Sequence, residues 1–398
     1  MPDPSATPVI VWLRRDLRLS ENPALDAAVK SGRPVLFLFI RDEAVDAMGA
    51  AAKWRLGLSL QDFAQRISQK GCSVTLRSGA ALQVLRDVIA KTGAVELHYS
   101  RDYTPFAIKR DTEIKSALSK VISVNSHNGM LLFEPWTVET GSGSYYKVYT
   151  PFWNSVRDRV IAPFLGEPDQ IRAVSQTVHS ESLEDWALDA AMDRGSSIVS
   201  RHVGVGEQAA QKRLTEFTAS RIGAYKADRD RMDVDATSHL SENLTYGEIS
   251  PRQMWHAGFK AMQAGAAGAE HFLKELVWRE FAYHLLYHSP HMLNRNWRDG
   301  WSNFPWRGDN EDAEAWRRGQ TGEPIVDAAM REMYVTGTMH NRSRMIVASY
   351  LTKHLMVHWK VGMDWFAECL TDWDPAANAM GWQWVAGCGP DASPFFRV

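Results

Sequence analysis

Apolar residues fall into short unbroken runs in the first third of the chain and at helical spacing in the last. Residues 8–13 (PVIVWL) and 34–40 (PVLFLFI) are continuous apolar runs, as strands buried on both faces require. Shorter runs follow at 73–76 (SVTL), 95–99 (VELHY) and 121–124 (VISV). Helical stretches lie between them. Asn22 caps one with Pro23 at its first position, and others are expected over 50–70, 80–91 and 106–119, with Gly71 and Gly93 as stops. The strict alternation predicts a Rossmann-like parallel sheet with helices on both faces. Such sheets open a ligand crevice at the carboxyl ends of their strands. No G-x-G-x-x-G follows the first strand, so the dinucleotide fingerprint is missing.

From Leu131 the alternation stops. Pro135, the GSGS at 141–144, Pro151, Pro163 and Pro168 read as a long connector lying over the surface. The glycines of GVGEQAAQ (204–211) hint at a phosphate loop, but no Lys-Ser/Thr follows, and a helix start is the better reading. Beyond it only helices are expected: 207–225, 251–263 behind a Ser250 cap, 268–288, 325–336 between Pro324 and Gly337, 341–358 and 363–371. The segment DWDPAANAMGWQW (372–384) reads as an acidic turn. The expected architecture is α/β plus all-α: an α/β domain over 7–130, a connector over 131–205 and a helical domain over 206–398.

Composition narrows the function. A net charge of −2 argues against a protein that coats nucleic acid along its whole surface, but permits a local basic patch. Cys72, Cys369 and Cys388 are scattered, so neither a zinc site nor a disulfide framework is indicated. The N-terminus lacks a signal-peptide layout and no run reaches the length of a membrane span, so a cytoplasmic protein with no membrane partner is expected. Tryptophan is abundant, at 16 residues, and 11 of these lie from Trp255 onward. Each buried indole N–H needs a partner, which makes that region an awkward plain core.

Candidate chemistry concentrates there. Along 324–384 the apolar face is interrupted by Asn341, Arg342, Arg344, Asp372, Asp374 and Asn378. Glu275, Trp278 and Arg279 stand at i, i+3 and i+4, so they share one helical face. A carboxylate, an indole and a guanidinium there suit a flat ligand with hydrogen-bond donors, although an ordinary ion pair beside a core Trp fits as well. The loop Thr237, Ser238, His239, Leu240, Ser241 offers hydroxyls and backbone N–H groups to a phosphate, as an ordinary turn also would. His284 and His288 have metal-ligand spacing but no third ligand, and read as structural. From the residues alone, the chain is a flavin- or nucleotide-binding protein with an aromatic cavity.

The motifs VWLRRDLRLSENPAL, ELVWREF, TGEPIVDAAMRE, TMHNRSRMIVASYLTKHL, DWDPAANAMGWQW and DASPFFR, in this order, resemble the DNA photolyase/cryptochrome family across nearly the whole chain. The details look most like cyclobutane pyrimidine dimer photolyases of the bacterial branch close to plant cryptochromes (class III). The resemblance implies FAD in the helical domain, near Tyr225, the 237–241 loop, Phe272, Asn341, Arg344, Asp372, Trp373 and Asp374, with Asn378 facing the flavin N5. Trp382, Trp359 and Trp306 match the family's electron chain. It also implies a DNA side: Trp278 and Trp384 sandwiching the bases of a flipped-out dimer, Glu275 and Asn341 on the base edges, Met345 filling the site, and Arg229, Arg279, Arg342 and Arg397 on phosphates. The reaction implied is light-driven electron transfer from reduced FAD that splits the dimer in damaged DNA. A photoreceptor without repair activity is the alternative. Histidines mark (6-4) photolyases where this chain has Asn341 and Met345. An antenna chromophore on the α/β domain is expected, methenyltetrahydrofolate ahead of a deazaflavin, and the protein is expected to be a monomer. Family members continue past Arg397, so the helical domain is expected to be short at its C-terminus.

Overall fold

In the computed structural model, residues 7–176 and 178–392 are described. Five parallel strands form one sheet: β1 (Val9–Leu13), β2 (Val35–Arg41), β3 (Val74–Ser78), β4 (Glu96–Ser100) and β5 (Ser123–His127), in the order β3-β2-β1-β4-β5. Alternate side chains of β1 feed two cores. Val9, Val11 and Leu13 face one helical layer, and Ile10 and Trp12 the other. The last strand starts two residues later than its apolar run, because Val121 is 73 % exposed and only Ile122 and Val124 turn inward.

The connector does more than cross the surface. Tyr149–Val156 is a helix that buries Tyr149, Phe152, Trp153 and Val156 against the helical domain. Those positions run i, i+3, i+4, i+7, an amphipathic signal that the surrounding glycines and prolines obscured. The helix begun at Glu207 ends at Ser220, and Tyr225 starts a separate single turn at Tyr225–Asp228. The stretch expected as one helix over 341–358 is α-helical only over Asn341–Ser349. It then widens to a π-turn at Tyr350–His354, where the N–H of Leu355 reaches the carbonyl five residues back. The following helix is Trp359–Cys369. Besides three helices of four or five residues, at Glu43–Asp46, Gly195–Val199 and Ser241–Thr245, two longer ones were not anticipated: Glu311–Arg317, capped by Asn310, and Pro375–Ala386, capped by Asp374. The second replaces the acidic turn. An Asp followed by Pro is a cap-and-first-position pair, so its start was legible.

Polar contacts fasten the helical domain to the sheet's side of the molecule. Arg55, fully buried, meets Glu242 at 2.6 Å and Glu248 at 2.8 Å. Glu207 accepts the backbone N–H of Leu19 (2.7 Å) and of Ser20 (3.0 Å) and pairs with Arg66. No helix among the described residues is long and apolar enough to cross a membrane.

Glu280, 2 % exposed on the Ala269–His288 helix, holds the start of the connector: its Oε2 accepts from Leu132 N–H (2.7 Å) and Phe133 N–H (3.1 Å). Its Oε1 has no hydrogen-bond partner. Burial raises the carboxyl to about 7, against the pull of Arg279 and the two amides. Because the folded value lies above the unfolded one, the folded chain binds the extra proton, and stability falls as pH rises between the two. The expected result is a lower melting temperature at pH 8 than at pH 6.5, by about 1 °C, and a smaller gap in Glu280→Gln. An undiminished gap in that variant would assign the dependence elsewhere.

Candidate functional site

A cavity of about 640 Å³ lies in the helical domain, within the range of cofactor sites. One wall is the Ala269–His288 helix, which presents Phe272, Glu275, Trp278 and Arg279. The opposite wall is Pro375–Ala386, presenting Asn378 and Trp384, and Asn341–Ser349 contributes Asn341, Arg342, Arg344 and Met345. Segments far apart in sequence thus converge on one space.

At its inner end Arg344 Nη2 meets both oxygens of Asp372, at 2.9 and 2.8 Å, with Asp372 nearly buried. Asn378 donates its amide to the carbonyl of Asp374 at 2.9 Å. That bond fixes the amide's orientation and leaves Oδ1 without a hydrogen bond from the described residues. Asp374 is more engaged than a pure ligand contact. Its Oδ1 caps the helix through Ala377 N–H (2.9 Å), and its Oδ2 takes Tyr283 OH (2.6 Å) and Arg15 Nη2 (3.0 Å) from the α/β domain. Burial would push this carboxyl up, but Arg15 and then Arg279 hold it below the usual carboxylate range.

Toward the mouth, Arg229 pairs with Glu275 and stands over the Tyr225 ring at 5.8 Å. Arg229 takes Glu275 Oε1, leaving Oε2 for a ligand. Burial raises the Glu275 carboxyl, and Arg229 pulls it back. Arg342 pairs with Asp230 at 2.8 Å, and exposed Asn341 lies beside Met345, with Nδ2 3.9 Å from Sδ. Asn341 thus lines the cavity together with Arg342 and Met345, one turn before Arg344 on the same helix. Trp278 is half-buried, with Tyr149 stacked on it at 3.6 Å and 9°.

The 237–241 loop divides. Ser238 and Ser241 line the cavity, while Leu240 is core and His239, at φ +53, pairs with Asp235 on the surface at 2.5 Å. Thr237 does not line it. Two of the loop's five residues, both serines, thus line the cavity. Trp373 lines a different cavity, between the domains, because the turn before Pro375 aims successive side chains oppositely. Arg397 lies outside the described residues. Asp230, His271, Met380 and Gly381 also line the site and had no distinguishing sequence signal.

The three tryptophans lie behind the cavity. Trp382 is 3 % exposed and presses on Gly362, where a Cβ would stand 2.2 Å from its ring, so only glycine fits beside it. Trp359 opens that same helix, buried, with its indole N–H on Asn296 Oδ1 at 2.8 Å. His358 bridges outward: its ring is 5.2 Å from Trp359 and 5.6 Å from Trp306. Trp306 stacks at 6.1 Å on Trp301. Trp382 also meets buried Trp316 at 6.1 Å, a neighbour the sequence did not suggest. His284 is structural: buried, it accepts the N–H of Tyr146 at 3.1 Å, and His288 stacks on Tyr145 at 4.8 Å.

Comparison with known proteins follows the same division. Residues 9–169 match the family described as DNA photolyase, and 272–398 the FAD binding domain of DNA photolyase. The chain is 44 % identical over 396 residues to a deoxyribodipyrimidine photo-lyase of Agrobacterium fabrum, covering 98 % of this chain and 82 % of that protein. It is 32 % identical over 403 residues to Cryptochrome-1 of Arabidopsis thaliana, covering 98 % of this chain and 59 % of that one. A bacterial class III photolyase from Agrobacterium tumefaciens superposes with a TM-score of 0.95 at 42 % identity, over 100 % of this chain and 83 % of the other.

Proposed function

The chain belongs to the DNA photolyase family, and we propose that it is a deoxyribodipyrimidine photo-lyase that splits cyclobutane pyrimidine dimers in damaged DNA under blue light, acting as a monomer. The observation that supports this best is the shared cavity, where base-sized aromatic and hydrogen-bonding groups at the mouth adjoin polar groups suited to a flavin nucleotide within. The residues present fit FAD: an aimed amide oxygen on Asn378, the Arg344–Asp372 pair, and the hydroxyls of Ser238 and Ser241. Tyr225 and Phe272 supply apolar wall beside them. When bound in its reduced form and excited by light, FAD supplies the electron that opens the cyclobutane ring and takes it back afterwards.

The protein's own contribution is to bind, orient and exclude water. A dimer must leave the stack to be reached, and a damaged base costs least to extrude. Trp278 and Trp384 offer it aromatic faces, worth about 1–3 kcal/mol per base. Glu275 Oε2, on a carboxyl raised by burial, can share a proton with a pyrimidine carbonyl. Arg279 and Arg342, with Arg229 behind Glu275, form the local basic patch that positions strand phosphates. Trp382, Trp359 and Trp306 carry electrons inward when the flavin must first be reduced.

An antenna is proposed on the α/β domain. The carboxyl ends of β1 and β2 open into a cavity of about 220 Å³ lined by Trp12, Arg14, Arg15, Arg110 and Trp373, where aromatic faces and guanidiniums suit a conjugated anionic chromophore. We favour methenyltetrahydrofolate over a deazaflavin; the emission spectrum of the natively purified protein distinguishes them.

The deciding experiment is repair itself. Reduced, FAD-loaded protein under blue light is expected to restore oligonucleotides carrying a thymine dimer, with none restored in the dark. Intact dimers after illumination would leave the photoreceptor reading instead.

A further inference from the structure

Resting on the photo-lyase reading, we infer that Tyr149 is a positioning residue for damage recognition: it backs Trp278 so that the indole meets the extruded dimer with one face, already oriented. The two rings lie 3.6 Å apart and within 9° of parallel. Aromatic pairs ordinarily sit 4.5–7 Å apart, so this one overlaps fully and closes one face of the indole. Trp278 can therefore stack on a base only from the cavity side.

Tyr149 is itself held from several directions. Its hydroxyl donates to the carbonyl of Lys274 at 2.5 Å, one turn before Trp278 on the same helix. Its backbone N–H donates to Asp391 Oδ2 at 3.2 Å, and its ring packs edge-on against Phe281 at 5.8 Å. Phe281 also meets Trp278 edge-on at 5.8 Å. The indole thus sits between a parallel backstop and a perpendicular neighbour, which together hold its rotamer. Without the backstop, each binding event would have to immobilise a mobile indole, an entropic cost that preorganisation removes.

The other inward residues of the Tyr149–Val156 helix, Phe152, Trp153 and Val156, fill core. Tyr149 alone backs a residue of the cavity wall. An undamaged strand that stays stacked never reaches Trp278, so its affinity should not depend on Tyr149. A merely structural role would weaken both strands alike.

The test measures binding of FAD-loaded protein, in the dark, to a single-stranded oligonucleotide with and without one thymine dimer. Tyr149→Leu is expected to lose about tenfold in affinity for the dimer strand, the scale of one stacking contact, and less than about twofold for the undamaged strand. Tyr149→Phe, which keeps the ring, should stay within about twofold on both. With Trp278→Ala already present, Tyr149→Leu should cost less than about twofold more, since the two act as one unit. Equal losses on both strands, a tyrosine effect that persists without Trp278, or a Phe variant as weak as the Leu variant would each overturn the inference. Should Tyr149→Leu not fold, Tyr149→His carries the same test, and an unchanged preference overturns it. A wild-type chain with no preference for the dimer would sink the photo-lyase reading itself, whereas a preference untouched by these variants sinks only the role of Tyr149.

Discussion

Trp306→Phe is expected to abolish photoreduction of the oxidised flavin, yet leave dimer repair intact once the flavin has been reduced chemically. The geometry behind this is the aromatic path to the surface. Trp382 and Trp359 are buried, whereas Trp306 is half-buried and touches the Trp301–Phe304 cluster. The His358 ring links Trp306 to Trp359, at 5.6 and 5.2 Å. A phenyl ring keeps the packing but is far harder to oxidise than an indole, so the last outward step fails. Repair uses an electron that starts on the reduced flavin and returns to it, so it needs no supply from Trp306. Illuminating oxidised and pre-reduced protein separately checks both halves. Photoreduction at the wild-type rate would remove Trp306 from the path, and loss of both activities would mean a damaged cavity.

Asp374→Ala should have the largest effect on stability, about 3 kcal/mol or more. Three bonds go at once: the helix cap at Ala377 and the contacts of Oδ2 with Tyr283 and Arg15. The cap alone is worth about 1 kcal/mol. The rest arises because Arg15, mostly buried between the domains, loses its carboxylate and keeps only neutral acceptors, the carbonyl of Thr245 at 2.7 Å and the hydroxyl of Tyr283 at 3.0 Å. For a chain of this size the melting temperature should fall by roughly 4 °C or more. Asp374→Asn, which keeps the cap, should fall less. Since Arg15 and Arg279 depress the Asp374 carboxyl in the fold, its contribution is present at neutral pH and is lost only as pH falls below the ordinary carboxylate range. An alanine variant melting within a degree or two of wild type would show that the domains are held elsewhere, with the buried Arg55–Glu242–Glu248 cluster the first place to look.

Both predictions depend on contacts between segments far apart in the chain, and there the sequence was least informative. It located strands and helices well where one period ran without interruption. The apolar runs at 8–13 and 34–40 became β1 and β2, and Pro324 and Gly337 bracketed the helix they were expected to bracket. It failed where punctuation competed with periodicity. Prolines and glycines around Tyr149–Val156 hid an inward face, and reading 372–384 as a turn passed over the cap that Asp374 and Pro375 spell out. Glu275, Trp278 and Arg279 were legible as one face because helical spacing alone places them together, and all three do line the cavity.

What the sequence determined by itself was the layered order of the two halves, the shared face on the Ala269–His288 helix and, through its motifs, the family and its flavin. Periodicity reports that a face is buried, because burial repeats with the turn of the element. It does not report which distant segment covers that face. Only the tertiary structure decided that Tyr149 backs Trp278, that Arg15 reaches Asp374 across the domains, that His358 links Trp306 to Trp359, and that Trp373 turns toward the other cavity. Each of these depends on how whole elements pack, and side-chain spacing along one strand or helix carries no record of that.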